Sequence, residues 1–192
     1  MSDKETRSFR FDLETREDDD GSVKIRGHAA VFNQEAEIWG FREQVAPGAF
    51  KDSIKEDDVR ALFNHDPNFV LGRNTAGTLN LKEDKEGLAI EIDPPDTQFA
   101  RDLQVSIRRG DISQMSFGFQ VLEEEWKDGG EGPDERTLKK VRLFDVSPVT
   151  FPAYEGTDVA VRSHDKWQEQ NKPKRNKVNL KRKRLNILKE GK

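Results

Sequence analysis

The 192-residue chain contains no cysteine, which excludes a disulfide framework, a thiolate nucleophile and a cysteine-ligated zinc. Hydrophobic residues make up 33% and charged residues 36%, so the core is modest, fitting one small β-rich domain plus tails better than a large doubly wound sheet. With a net charge of −4, no apolar run near the ~18 residues of a membrane helix and no signal-like apolar region after Met1, an intracellular, water-soluble protein is expected.

Taken in chain order, the expected elements are mainly strands. Phe9 to Leu13 alternates in polarity, as does Val23 to Gly27, with Asp18-Asp19-Asp20-Gly21 as the turn between them. Glu35 to Glu43 reads as a loop carrying Trp39. Pro47-Gly48-Ala49-Phe50 opens a short helix through about Ile54, the proline sitting near its first turn. The apolar run Val59 to Asn64 ends at His65, which shares a strand face with Val59, Ala61 and Phe63. Leu79-Asn80-Leu81 and Leu88 to Ile92 form a hairpin around Asp84-Lys85-Glu86-Gly87. Phe99, Leu103 and Ile107 recur every four residues between Asp96-Thr97 and Gly110, predicting an amphipathic helix with an N-cap and a C-terminal glycine. Arg108 and Arg109 then sit where the helix dipole favours cations. Met115 to Leu122 and Leu138 to Phe151 are strands, parted by the breaker cluster Lys127 to Asp134. No internal repeat is present.

Three residues in these elements carry chemistry. His65, Ser116 and Asp145 offer a base, a nucleophile and a carboxylate in the chain order His, Ser, Asp, unlike the orders of subtilisin-like enzymes and α/β-hydrolases. No G-x-S-x-G elbow surrounds Ser116, which instead lies within a strand pattern. Ser116, Gly118 and Gln120 share one face there, and Phe117, Phe119 and Val121 the other. Ser116 and Asp145 are symmetric about the middle of the breaker cluster, so a hairpin brings them opposite each other, to within about two residues of register. Asp145 is expected to continue the face of Val141 and Leu143. A carboxylate there costs several kcal/mol, order of magnitude, unless paired, and an imidazole is a natural partner. Each residue alone also has an ordinary structural reading: a satisfied histidine, a small strand residue, a turn-capping aspartate. Three histidines without close spacing, and no H-E-x-x-H, argue against a metal site; no cofactor is expected.

The chain resembles the tailed-phage prohead proteases, serine peptidases that trim scaffold and capsid proteins during head maturation and are related to herpesvirus assemblin proteases. The matching blocks are Gly27 to Asn33, Glu43 to Phe50, Leu62-Phe63-Asn64-His65-Asp66, Arg109 to Phe119 and Leu143 to Ala153. The resemblance spans about residues 8 to 162. It implies His65 as base, Ser116 as nucleophile and Asp145 as the acidic third member, where the family often carries Glu. His28 stands where the family usually has a non-catalytic residue. The resemblance also implies a small antiparallel barrel of herpesvirus-protease-like type with helices outside it, mainly β in class (α+β). Related herpesvirus enzymes place oxyanion donors shortly after the third triad member; Pro152 has no N–H, so the backbone of Ala153 and Tyr154 is the expected hole. The expected substrates are the phage major capsid protein and scaffold. The expected setting is the assembling prohead in the host cytoplasm, with homo-oligomerisation possible and no membrane partner.

Beyond the domain expected over 1–162, residues 163–192 read as a basic, disordered tail. From His164 onward, eleven Lys or Arg stand against three acidic residues. Such a tail is a solvated extension, a contact for nucleic acid or an acidic partner, or a tether that the enzyme removes by self-cleavage. The competing function is a non-enzymatic head-assembly or scaffold module using this arm. Few aromatics interleave with basic residues, so a base-stacking surface is not indicated.

Overall fold

Alternating burial makes strands the commonest element of the chain, and glycine-rich or left-handed positions end them. The computed structural model describes residues 4–10, 13–17, 23–38, 40–151 and 158–171. Among them the elements run β1 (Glu5–Arg10), β2 (Glu14–Glu17), β3 (Val23–Val31), β4 (Ala36–Ile38), β5 (Phe41–Val45), α1 (Ser53–Glu56), β6 (Arg60–Phe63) and β7 (Asp66–Arg73). They continue with β8 (Leu79–Glu83), β9 (Gly87–Ile92), α2 (Gln98–Arg108), β10 (Gln114–Lys127), β11 (Asp134–Val149) and α3 (Asp158–Asn171). The chain divides into two compact units, Met1–Val161 and Arg162–Lys192.

One sheet runs β1-β10-β11-β5-β4, with β6 also on β11 and β7 on β6; the other runs β2-β3-β9-β8. The breaker cluster after Lys127 closes the long β10–β11 hairpin as expected. β11 then acts as a hub, pairing in parallel with β5 over Asp134 to Leu138 and with β6 at Asp145 and Val146. Side chains such as Ile25, Leu71, Leu88, Ile92, Phe117 and Phe119 fill the common core. In α2, Thr97 caps the N-terminus by accepting from the Ala100 N–H, and Ala100, Leu103 and Ile107 are its buried residues.

Several expectations are corrected. The fold is mainly β with helices, but the first sheet is mixed rather than antiparallel, and the described strands make two sheets, not one closed barrel. Between them the described pairing reduces to the isolated parallel bridge Phe32–Val45. The chain leaves β3 there through Asn33, whose φ of 56° turns it away before a ladder can form. Glu35 to Glu43 is not a loop: β4 and β5 form a hairpin, with Phe41, Glu43 and Val45 buried and Arg42 exposed. The buried charge of Glu43 disguised that alternation. Trp39 and the Asp18–Gly21 turn lie outside the described residues. The helix expected from Pro47 begins only at Ser53, because Gly48 takes a φ of 90° and holds the preceding chain in turns. The tail is helical at its start, since α3 continues to Asn171 and the next helix breaker is Pro173. Residues beyond Asn171 lie outside the described residues.

A charged cluster fixes the sheet edge at β1. Arg7 bonds Glu43 at 2.6 Å and Glu5 at 2.6 Å, and Arg136 reaches Glu43 at 2.8 Å, Glu5 at 3.1 Å and Glu124 at 2.5 Å. Burial works against both guanidinium charges, yet the surrounding carboxylates outweigh it and raise both pKa values. Such a cluster is a poor source of net stability but a strong determinant of register, because any slip leaves charges buried and unpaired.

Candidate active site

The β10–β11 hairpin sets Ser116 opposite Ser147 and Gly118 opposite Asp145, two residues from the symmetric register expected. A β-bulge between Gly118 and Phe119 accounts for one of the two residues, since Phe119 pairs with Leu143 and Phe144 becomes the extra residue; the other is already present on the turn side, where Val121 faces Val141 and not Lys140. The bulge has a chemical consequence. Val141, Leu143 and Val146 all enter the core, which a strict period of two forbids. Asp145 is thereby switched off the face of Leu143 and onto the face of Ser116 and Gly118. The expected continuation of the Val141–Leu143 face by Asp145 is corrected accordingly.

His65 does not continue a strand face either. Asn64 and His65 have φ values of 53° and 58° and form a two-residue connection between Phe63 and Asp66, the signature of a primed hairpin turn. A left-handed histidine is uncommon and costs on the order of 1–2 kcal/mol, so the surroundings must hold it. They do so from the end of β11. The Asn64 N–H donates to the Pro148 carbonyl at 3.0 Å, and the Thr150 N–H donates to Asn64 Oδ1 at 2.9 Å. The His65 N–H also donates to Ser147 Oγ at 3.3 Å.

This clamp aims the imidazole between the other two groups. His65 Nδ1 lies 2.5 Å from Asp145 Oδ1, and Nε2 lies 2.7 Å from Ser116 Oγ. A carboxylate only accepts, so Nδ1 carries the proton and Nε2 presents its lone pair to the serine hydroxyl. Ser147 Oγ also donates to Asp145 Oδ1 at 3.1 Å, and Lys4 Nζ donates to Oδ2 at 2.8 Å. Burial pushes the Asp145 carboxyl up, but the bonds from His65 and Lys4 prevail and hold it below the ordinary aspartate value. Ser116 is fully buried, Asp145 nearly so, and the His65 side chain is 18% exposed. The Ser116 hydroxyl has a second acceptor, the Arg7 carbonyl of β1 at 2.9 Å. One proton thus serves two acceptors, and it is available to the imidazole only when the hydroxyl turns from β1.

The expected residues His65, Ser116 and Asp145 therefore meet, whereas Ala153 and Tyr154 lie outside the described residues. Sequence reasoning missed Lys4, Asn64, Ser147 and Gly118. Asn64 had a readable signal, because asparagine is favoured where a hairpin needs positive φ. Lys4, 141 positions from Asp145, had none. His28 bonds Asp84 at 2.9 Å and is not in this constellation. Among the described residues no group of three or more His, Cys, Asp or Glu is placed to hold a metal. None of their helices is long and apolar enough to cross a membrane.

A family profile described as Caudovirus prohead serine protease matches residues 11–173. The prohead protease of Enterobacteria phage HK97 is 30% identical over 147 residues, covering 73% of this chain and 61% of that relative. The chain thus spans about three-fifths of the length of that relative. The solved bacteriophage T4 capsid assembly protease aligns at a TM-score of 0.49 and 13% identity, over 76% of this chain and 96% of that one.

Proposed function

The chain belongs to the caudovirus prohead serine protease family, and we propose that it is a serine endopeptidase cleaving phage scaffold and capsid proteins during prohead maturation. The observation that carries this reading is the His65 ring, which bridges Ser116 Oγ and Asp145 Oδ1 within hydrogen-bond reach of both.

In the proposed reaction the Ser116 hydroxyl turns from the Arg7 carbonyl to His65. Its oxygen attacks the carbonyl carbon of the peptide bond while its proton passes to Nε2. Asp145 stabilises the imidazolium through Oδ1. The C–N bond then breaks as Nε2 returns the proton to the departing amine, leaving an acyl-serine. Water repeats the sequence, releasing the acid and restoring Ser116. The oxyanion needs two preorganised donors, each about 2.7–4 kcal/mol in comparable sites. The backbone N–H groups of Ala153 and Tyr154 are proposed for this role on family resemblance. The same resemblance is what supports kinship with the herpesvirus-protease-like fold. The proposed place of action is the assembling prohead in the host cytoplasm, with the phage major capsid protein and scaffold as substrates.

The test is co-expression with the phage's own capsid protein, followed by mass spectrometry of the capsid termini. Wild-type protein should trim the capsid protein and Ser116→Ala should not. Trimming by a folded Ser116→Ala protein refutes the assignment.

A further inference from the structure

Asp145 has two carboxylate oxygens, and the proposed reaction accounts for one. Oδ1 accepts from His65 and Ser147, while Oδ2 accepts from Lys4 Nζ at 2.8 Å. Lys4 immediately precedes β1, which runs antiparallel to β10 with Thr6 opposite Gly118 and Ser8 opposite Ser116. This register puts Lys4 on the face of Thr6 and Ser8, from which its side chain reaches over Gly118, and there the absent side chain matters. A Cβ on Gly118 would lie 2.4 Å from Asp145 Oδ2, 2.6 Å from Lys4 Cε and 3.1 Å from Lys4 Nζ. The glycine leaves the space that the ion pair fills. The register itself is locked by the buried bonds of Arg7 and Arg136 to Glu5 and Glu43. Of the charged groups near Asp145, His65 comes from the β6–β7 turn and Lys4 from the chain before β1. Arg60, its Cα partner on β6, instead bonds Asp58 at 3.1 Å.

We propose that Lys4 is a positioning residue of this site, fixing the second oxygen of Asp145 so that the first is presented to His65. The inference rests on the reading of Ser116, His65 and Asp145 as nucleophile, base and orienting acid. The terminal torsion of an aspartate is broad, so a carboxylate held through one oxygen rocks about that bond. Anchoring both oxygens removes that freedom. The Lys4 side chain is 38% exposed and that of Asp145 3%, so solvent screens the pair from the lysine side and reduces what it adds to stability. Its effect falls on the orientation and ionisation of Asp145.

Two readouts on Lys4→Met and Lys4→Arg test this. One is the rate at which a fluorophosphonate labels Ser116. The other is the titration of the Asp145 carboxyl followed by carbon-13 NMR. Lys4→Met should stay folded and label about tenfold more slowly, and its Asp145 midpoint should move to higher pH, with Tm lowered only by the small amount that shift entails. Lys4→Arg should recover most of both. Wild-type labelling together with an unmoved Asp145 midpoint in Lys4→Met overturns the proposal. A shifted midpoint with no labelling of wild-type Ser116 supports Lys4 as the anchor of Asp145 and sinks the reading of Ser116 as nucleophile.

Discussion

Replacing Asp145 by Asn sets the needs of its two neighbours against each other. The carboxylate serves His65 Nδ1 through one oxygen and Lys4 Nζ through the other. An amide has one oxygen and one NH₂ group. If its oxygen faces His65, its NH₂ meets the Lys4 ammonium, donor against donor. If its oxygen faces Lys4, the NH₂ meets Nδ1, which must then act as acceptor. An ammonium cannot accept, so Lys4 selects the second arrangement and the ring proton moves to Nε2. A ring protonated there cannot take the Ser116 proton. In a well-characterised serine triad the same exchange lowers turnover about 10⁴-fold, roughly 5 kcal/mol. The rate of Ser116 labelling by a fluorophosphonate measures this loss without a known substrate. The double variant Lys4→Met/Asp145→Asn is the sharper case. With the ammonium gone, the amide is free to turn its oxygen to Nδ1, and labelling should recover by about tenfold or more over Asp145→Asn alone. Near-normal labelling of Asp145→Asn removes this residue from the triad. A double variant no faster than the single one refutes the role given to Lys4 in choosing the tautomer.

The depressed pKa of Asp145 also predicts a pH dependence. Its ionised form stabilises the fold above the ordinary aspartate value of 3.8 and loses that contribution as pH falls through the lower folded value. The gap in Tm between wild type and Asp145→Asn should therefore narrow below about pH 4, and a gap constant down to the acid transition contradicts this. Arg136→Met leaves the buried carboxylates of Glu5 and Glu43 with one guanidinium, Arg7, in place of two, an unbalanced buried charge that should cost about 3–5 kcal/mol and lower Tm by about 10 °C. A change under about 2 °C would show that the cluster relaxes without penalty. Wild-type protein held alone for hours should lose C-terminal material by intact-mass measurement, and Ser116→Ala should not. Equal trimming of both removes the self-cleavage reading of the tail.

What the sequence revealed and what it hid have separate physical causes. The β10–β11 hairpin was legible because the breaker cluster at Lys127 to Asp134 and the alternation around Phe117 and Phe119 are local signals. Its bulge was not, because an extra residue at Phe144 changes no composition and shows only in pairing. Helix α2 was legible from the four-residue spacing of Phe99, Leu103 and Ile107 with a capping threonine. The β4–β5 hairpin was hidden by Glu43, whose burial depends on Arg7 and Arg136 from distant segments. The chemical identity of the three site residues was readable from residue type and family resemblance. Their supports at Lys4 and Ser147 were not, because an ordinary lysine and serine gain meaning only from what folds beside them.

The separations along the chain bear on when such a site can exist. Ser116 lies 51 residues from His65, Asp145 lies 80 from His65, and Arg7 lies 109 from the serine hydroxyl it meets. Pairings this distant close large loops and form slowly compared with turns and helices. During synthesis β1 emerges first and its partner β10 more than a hundred residues later, with β11 following to complete the hairpin. A ribosome-bound chain that has completed β10 already carries serine and histidine but lacks the acid that orients them. The order of translation thus delays the meeting of these three side chains until the last strand of the sheet has been made.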